Sequence, residues 1–520
     1  MGPATLTFQE HEKFGVEGDG MQNGSMDVRD RKLIGHPKGL FLVSGVELWE
    51  RFSYYGMLGL LVLFLTANAG TGGFNWPETT ALKLMGVYTG IAFAAPAAGG
   101  WISNRFLGER RCILAGGLLV AAGHLLLGGP AYLPPLIDGL SGENTTALLR
   151  TPGLSYADFF RSEASLAAML TDAGSTVTDA SWALLSYHLK LWSFLLGLAL
   201  ILIGTGLIKP TVSSIINHLY APGDKARQTG FTIFMVSIYI GSLSANFIAG
   251  TLGETVGWHA GFTAATVGML IGVAAYLGGQ NAYLGNLGLT PQNPRPATGG
   301  TRPALTREHK RRIALILLMG AFTVLYAVAF YQKGGLLNLY AKQNIDRTVL
   351  GFQIPATWFL TISTGTFVLL APLVISRLGR WRPDLDAIGK LAAGLALIAC
   401  GYLLLSVAEF RGGDAEGGIS ALWLVLTYVF FGLGDIFVWP AQIAAAAALA
   451  PKHLVSLIVG AWYLTIGLGS WFTGYVGALA HTYSHLTVFL GLAITCLAAA
   501  ALLRLMRKRA SRLAHGIALS

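Results

Sequence analysis

Apolar residues fall into twelve long runs, at 38–67, 81–103, 110–132, 188–219, 226–250, 258–279, 312–341, 355–376, 386–408, 419–448, 454–480 and 485–506. A helix rises 1.5 Å per residue, so a run of about 20 apolar residues crosses a bilayer. The pattern therefore predicts an all-α membrane protein with twelve transmembrane helices. Most polar stretches between the runs are short, with two exceptions at 133–187 and 280–311. The second is rich in Gly, Pro and Asn, then turns basic, and divides the chain into six spans and six. The expected plan is a polar tail at 1–35, a six-helix bundle at 36–279, a linker at 280–311, a six-helix bundle at 312–506 and a basic tail at 507–520. Residues 133–187 form a long loop of the first bundle, with room for a short amphipathic helix near 155–169.

Composition agrees. The chain has 520 residues, 53% hydrophobic and 12% charged, whereas a soluble domain is about 25% charged. The net charge of +10 does not point to nucleic acid, because the basic residues sit in short loops. Arg105, Arg110 and Arg111 follow the second span, Arg302, Arg307, Lys310, Arg311 and Arg312 occupy the linker region, and Arg377, Arg380 and Arg382 follow the eighth. Arg507, Lys508, Arg509 and Arg512 follow the last. The alternate loops are acidic, with Asp138, Glu143, Asp158, Glu163, Asp172 and Asp179 in the long one. The lysine and arginine bias puts both termini in the cytoplasm of a cell with this protein in its inner or plasma membrane. Cys112, Cys400 and Cys496 lie inside apolar runs and form no disulfide framework. Residues 1–35 have no apolar core of a signal peptide, so none is expected. No phosphate loop, G-x-S-x-G or H-E-x-x-H occurs, and His481 and His485 have metal-ligand spacing without a third ligand. No cofactor, metal or catalytic residue is expected.

The first run breaks the apolar pattern. Glu47, Glu50, Arg51, Tyr54 and Tyr55 recur at i, i+3, i+4, i+7 and i+8, one face of a helix. A charge at the centre of a spanning helix costs roughly 2.5–3.5 kcal/mol on insertion scales. Such charges face a protein-lined, wet interior. In the fourth run, Lys209 lies nine residues before His218, roughly 13 Å from the end of its helix. Pro210 follows and loosens the helix there. A buried ammonium needs a carboxylate, and Glu47 or Glu50 is the expected one. Protonating that glutamate would release the lysine. Asp435 is the acid of the second half's spans, with Trp439 and Pro440 just after it.

These motifs carry a resemblance. GVELWERFSYYGM at 45–57 resembles the ExxERFxYYG signature of the proton-dependent oligopeptide transporter (POT) family, a branch of the major facilitator superfamily. GTGLIKPTVSS at 204–214 is similar to the family's fourth-helix motif, with Lys209 as its lysine. FTIFMVSIYIGS, YQKGGLLNLYAKQNIDR, GLGDIFVWP and APKHLVSLIVGAWYLTIGLG are looser matches, and GGWISNRFLGERR resembles the superfamily's turn between the second and third helices, with Asn104 for the usual Asp. The resemblance implies a major facilitator fold, proton coupling through Glu47, Glu50, Arg51 and Lys209, and a substrate cradle at Tyr54, Tyr55, Lys209, Tyr239, Tyr331, Gln332, Ser363, Asp435 and Trp439. Asp435 stands where the family has a glutamate that holds the substrate's amino group.

Departures concentrate in the cradle. Leu58 replaces the family's arginine after YYG, and Tyr331 replaces the glutamate before Gln332. Those two groups pair in the family, so their joint loss leaves no orphan charge. Tyr239 and Ser363 replace two asparagines, and Thr364 replaces a proline. Lys333 is new, and as an end-of-helix lysine it would snorkel outward. Glycines at 86, 90, 467, 469 and 474 suit close helix packing.

The resulting expectation is a secondary active transporter, a proton symporter of di- and tripeptides working by alternating access. The partners are a small peptide or peptide-like substrate, protons and the lipid bilayer, with no nucleic acid. The rivals are a transporter of a non-standard peptide-like or organic-anion substrate, and a non-transporting nutrient sensor on the same fold. An enzyme is disfavoured, since no nucleophile–base pairing is visible.

Orientation can be tested directly. Thr301→Cys in a cysteine-free background should resist an impermeant thiol reagent in intact cells, and Ser141→Cys should react. The reverse labelling would invert the assigned topology.

Overall fold

The computed structural model describes residues 31–68, 71–129, 177–221, 223–291, 306–382, 385–412, 418–451 and 454–514. The proposed amphipathic helix near 155–169 and most of the linker lie outside the described residues. The first six long helices are α1 (Lys38–Thr66), α2 (Glu78–Ile102), α3 (Glu109–Gly128), α4 (Val177–His218), α5 (Ala226–Ala245) and α6 (Trp258–Leu284). The second six are α7 (Arg307–Phe330), α8 (Trp358–Trp381), α9 (Ala387–Gly412), α10 (Ala421–Leu449), α11 (Val455–Thr482) and α12 (His485–Leu513). Eleven of these segments are long and apolar enough to cross a membrane. The twelfth, α1, is 29 residues long, roughly 44 Å, and its charged face explains why apolarity alone misses it.

The helix pairings repeat. In the first half α1 packs on α5 and α6, α3 on α4 and α6, and α2 on α4. In the second, α7 packs on α11 and α12, α9 on α10 and α12, and α8 on α10. Adding six to each label converts one set into the other, the signature of two parallel six-helix repeats. The cross-contacts obey the same rule, since α2 packs on α11 and α8 on α5.

Small residues permit the α2–α11 approach. A Cβ at Gly86 would stand 2.6 Å from the Trp471 carbonyl oxygen, and one at Gly474 would stand 2.3 Å from that of Leu82. Gly90 and Gly467 face each other in the same way. The expected role of these glycines is thus realised between the halves.

Several boundaries differ from the sequence pattern. α4 begins at Val177, before its apolar stretch, because helix geometry continues into polar residues. α5 passes through a π-helical turn at Asn246–Gly250 and runs on as Thr251–Thr255. The seventh span is not one helix. It ends at Phe330, tightens into a 3₁₀ turn at Tyr331–Gly334, and resumes as Leu336–Gln343. Gly334 and Gly335 supply the break, and the freed Lys333 carbonyl accepts the Tyr428 hydroxyl at 3.1 Å.

At the end away from the termini, the halves are tied together. Glu254, beyond α5, has its side chain only 3% exposed and reaches the start of α8. It accepts the backbone N–H groups of Thr357 and Ala356 at 2.9 and 3.1 Å and the Thr357 hydroxyl at 2.9 Å. Lys342 lies 3.2 Å and Arg347 3.8 Å from the same carboxylate. An acid of one bundle thus caps a helix of the other, where the helix dipole favours negative charge. Asn338 donates to the Gly59 carbonyl at 2.7 Å, Gln343 to Glu78 at 2.6 Å, and Trp358 to Thr251 at 2.8 Å.

Glu254 should therefore control closure at this end. Each charge-assisted hydrogen bond contributes about 1.5–3 kcal/mol, so Glu254→Ala should shift the open–closed balance at this end by at least about tenfold. Spin labels on Val256 and Val349, both exposed, would report a longer distance population. An unchanged distance distribution would show that the tie is incidental.

Candidate functional site

Glu47, Glu50 and Arg51 stand near the middle of α1 and are almost wholly buried, at 3, 0 and 4% exposure. Helical spacing puts both acids against one guanidinium. Arg51 Nε lies 3.2 Å from Glu47 and 2.5 Å from Glu50, and a second guanidinium nitrogen also pairs with Glu50. The Thr205 hydroxyl of α4 donates to the other oxygen of Glu50 at 2.7 Å. Among the described residues one Glu47 oxygen has no hydrogen-bond partner. Glu50 is fully held, whereas Glu47 keeps an open position. The planar fork of arginine suits this role, since it serves two carboxylates at once.

Lys209 does not make the direct carboxylate contact expected of it. Among the described residues its ammonium has no acid within 4.0 Å. It stands 5.4 Å from the Tyr54 ring centroid and 5.8 Å from that of Phe93. The reason is that Arg51, on the same helix as the acids, already occupies them. Lys209 is half-buried, so its ammonium is held by ring faces and open to an anion.

The second half contributes another group. Lys333 does not snorkel to the helix end. Its ammonium lies 3.9 Å over the Phe330 ring and 3.4 Å from the Ser363 hydroxyl of α8. The helix break turns it inward. Asp435 of α10 accepts the Tyr326 hydroxyl at 2.5 Å, and Tyr326 stacks at 5.3 Å on the Phe330 ring that lies beneath Lys333. Tyr331 stacks edge-on with Phe93 of the first half at 5.5 Å and with Phe330 at 5.3 Å. Leu58 and Tyr331 both pack against one hydrophobic cluster, so apolar surroundings replace the two charges that the resemblance implies.

The other expected cradle residues divide. Tyr54 and Tyr55 lie at 5.2 and 5.8 Å from the Arg51 guanidinium. Tyr239 stacks on Phe367 of the other bundle at 5.2 Å. Ser363 touches Lys333. Gln332 is fully buried and donates to the Thr473 carbonyl of α11 at 3.1 Å, so it ties two helices together instead of lining the cradle. The tight turn at Tyr331 rotates it away. Trp439 packs on Trp462 and Tyr463 of α11, at 5.2 and 6.1 Å, one helical turn beyond Asp435.

Four contributors escape the motif-based reading: Thr205, Phe93, Tyr326 and Phe330. A signal existed for two of them, because Tyr326, Phe330 and Lys333 follow the i, i+4, i+7 spacing of a single face. Phe93 is the one aromatic among the small residues around Pro96, a weaker hint.

The cluster has a stability consequence. Removing one partner of a buried ion pair costs about 3–5 kcal/mol. Arg51→Met strands two acids, whereas Glu47→Gln leaves Glu50 on the arginine. Thermal unfolding in detergent should show a much larger loss for Arg51→Met. Equal losses would mean that Arg51 does not hold the pair.

The profile of the POT family matches residues 110–293 and 301–488. The peptide transporter YePEPT of Yersinia enterocolitica is 26% identical, over 88% of this chain and 90% of its own length. A di-/tripeptide transporter of Lactococcus lactis subsp. cremoris is 27% identical, over 85% of this chain and 89% of its own. A crystal structure of a peptide transporter POT with sulfate superposes with a TM-score of 0.75 at 25% identity, covering 93% of this chain and 97% of that one. A POT family transporter with bound 5-aminolevulinic acid gives 0.75 at 21% identity, covering 92% and 98%. The repeated pairings, the buried acid–arginine cluster and a profile spanning both halves lead to one assignment: the chain belongs to the POT family.

Proposed function

We propose that the protein is a proton-coupled symporter of di- and tripeptides or closely related solutes, working by alternating access between its two bundles. It is a transporter and not an enzyme. We place it in the inner or plasma membrane with both termini in the cytoplasm, from the arginine-rich loops on that side. The observation that carries the reading is the buried Glu47–Glu50–Arg51 cluster beside an open Lys209, in a chain of this family whose relatives are named peptide transporters.

In this reading Glu47 is the first proton acceptor, because one of its oxygens has no hydrogen-bond partner among the described residues. Protonating it loosens one side of the arginine and leaves the cluster more positive. Lys209 then receives the substrate carboxylate against the faces of Tyr54 and Phe93. With Leu58 in place of a second cation, Lys209 is the main carboxylate anchor of the first half. Substrate bound between the bundles favours closure at the other end and release of the Glu254 tie. Tyr55, Tyr239, Tyr331, Ser363, Asp435 and Trp439 complete the wall in this proposal.

Purified protein in proteoliposomes tests it. Uptake driven by an inward proton gradient should be lost in Glu47→Gln and in Glu50→Gln, while counterflow exchange, which carries no net protons, should survive. Lys209→Ala should weaken dipeptide affinity by about tenfold or more, the worth of one charge-assisted contact. Binding without exchange in the unsubstituted protein would instead identify a sensor. Gradient-driven uptake at the unsubstituted rate in the double glutamine variant would remove these acids from coupling.

A further inference from the structure

The centre of the molecule holds a balanced set of charges. Arg51, Lys209 and Lys333 are its cations, and Glu47, Glu50 and Asp435 its acids. The set is neutral with every group ionised. One coupling proton on a glutamate leaves a single positive charge in excess. A zwitterionic peptide adds nothing to that balance, and the excess stays in a low-dielectric site, where an uncompensated charge is costly. A solute with one net negative charge cancels it.

Geometry gives the excess a location. Lys209 and Lys333 mark the two ends of an aromatic path. Phe93 is 5.8 Å from the Lys209 ammonium, Tyr331 is 5.5 Å from Phe93, Phe330 is 5.3 Å from Tyr331, and Lys333 is 3.9 Å from Phe330. The first two of these groups belong to one bundle and the rest to the other. On the second side, the acid that would take a substrate ammonium is already engaged. Asp435 is bound by Tyr326, which stacks on the Phe330 ring beneath the Lys333 ammonium, so an incoming ammonium meets another cation. Among the described residues Lys333 has the Ser363 hydroxyl and a ring face as near partners, and it is half-buried.

We infer that the site selects a net-monoanionic peptide-like solute over a zwitterion, with one carboxylate on Lys209 and an anionic or carbonyl group on Lys333. This rests on the transport reading for its setting, and it makes Lys333 the residue that sets charge preference. Two kinds of solute share the required charge: a peptide with a blocked amino end, and a peptide with one acidic side chain.

Competition for counterflow in proteoliposomes and calorimetric binding, run on the same protein, test it. The ligands are dialanine, N-acetyl-dialanine, alanyl-glutamate and dialanine amide. Both anions should bind about tenfold or more tighter than dialanine, with the amide weakest. Lys333→Gln should abolish the difference between the anions and dialanine, and Lys333→Arg should keep it. Asp435→Asn adds a net positive charge by a separate route and should strengthen both anions, which guards against a folding defect in Lys333→Gln. Preference for only one of the two anions supports the inference and identifies the group on Lys333. Dialanine binding as tightly as both anions would overturn it, as would an anion preference that persists in Lys333→Gln. Anion-selective binding without any exchange would defeat the transport reading and leave the charge rule standing. Exchange that favours dialanine would do the opposite.

Discussion

A guanidinium held by two carboxylates inside a membrane-length helix is the constraint on which the rest of the structure depends. None of the three charges can remain there alone, and Glu47, Glu50 and Arg51 are each less than 5% exposed. Their mutual pairing makes burial tolerable, and the Thr205 hydroxyl completes Glu50. Because all three groups lie on α1, the cluster survives whatever the second bundle does. It also fixes what is left for others. With both acids committed to Arg51, Lys209 must be stabilised by ring faces. That leaves an ammonium between two ring faces with no acid within 4.0 Å among the described residues.

The helix pairings explain how such a site can be reached from either side. Two repeats with matching pairings meet along α2–α11 and α5–α8, and small residues let the first of these pairs approach to backbone contact. Contacts of that kind slide or rock without exposing polar groups. The specific polar ties gather at one end, around Glu254. A carboxylate on a helix N-terminus of the opposite bundle is a strong bond that is local, and breaking it frees one end without disturbing the middle. Tightness at the centre and reversibility at the end are thereby assigned to different chemistries.

The twelve spans, the division into halves and the α1 cluster were legible in the sequence, because each depends on residue type at helical spacing. The tie at Glu254 was not, since it joins residues about a hundred positions apart and one partner is a backbone N–H. The seventh span reads as continuous in the sequence, yet it is interrupted. Gly334 and Gly335 were visible, but whether paired glycines break a helix depends on what receives the freed carbonyl, here Tyr428 of α10. That break also decides two side chains. Gln332, expected in the cradle, turns to α11, and Lys333, expected to reach outward, turns to the centre. The Lys209–carboxylate pair failed for a different reason. Sequence shows which charges share a depth, and cannot show that a neighbour on the acids' own helix has taken them first.

Substitutions in the cradle make sense together once the break is included. Losing an arginine at Leu58 and an acid at Tyr331 is neutral in charge, and the two apolar replacements share one hydrophobic cluster. A new lysine two residues later is not neutral unless something answers it. Asp435 answers it only in part, since its carboxylate is bound by Tyr326 and no contact within 4.0 Å joins it to Lys333 among the described residues. A lysine that is merely structural would sit closer to the acid and make a direct pair. One held over a ring face, with its ammonium directed at a serine hydroxyl, keeps hydrogen-bonding capacity in reserve. Reserve capacity in the middle of a membrane is costly to maintain without a ligand to use it, and this is the physical reason to regard Lys333 as part of the recognition surface.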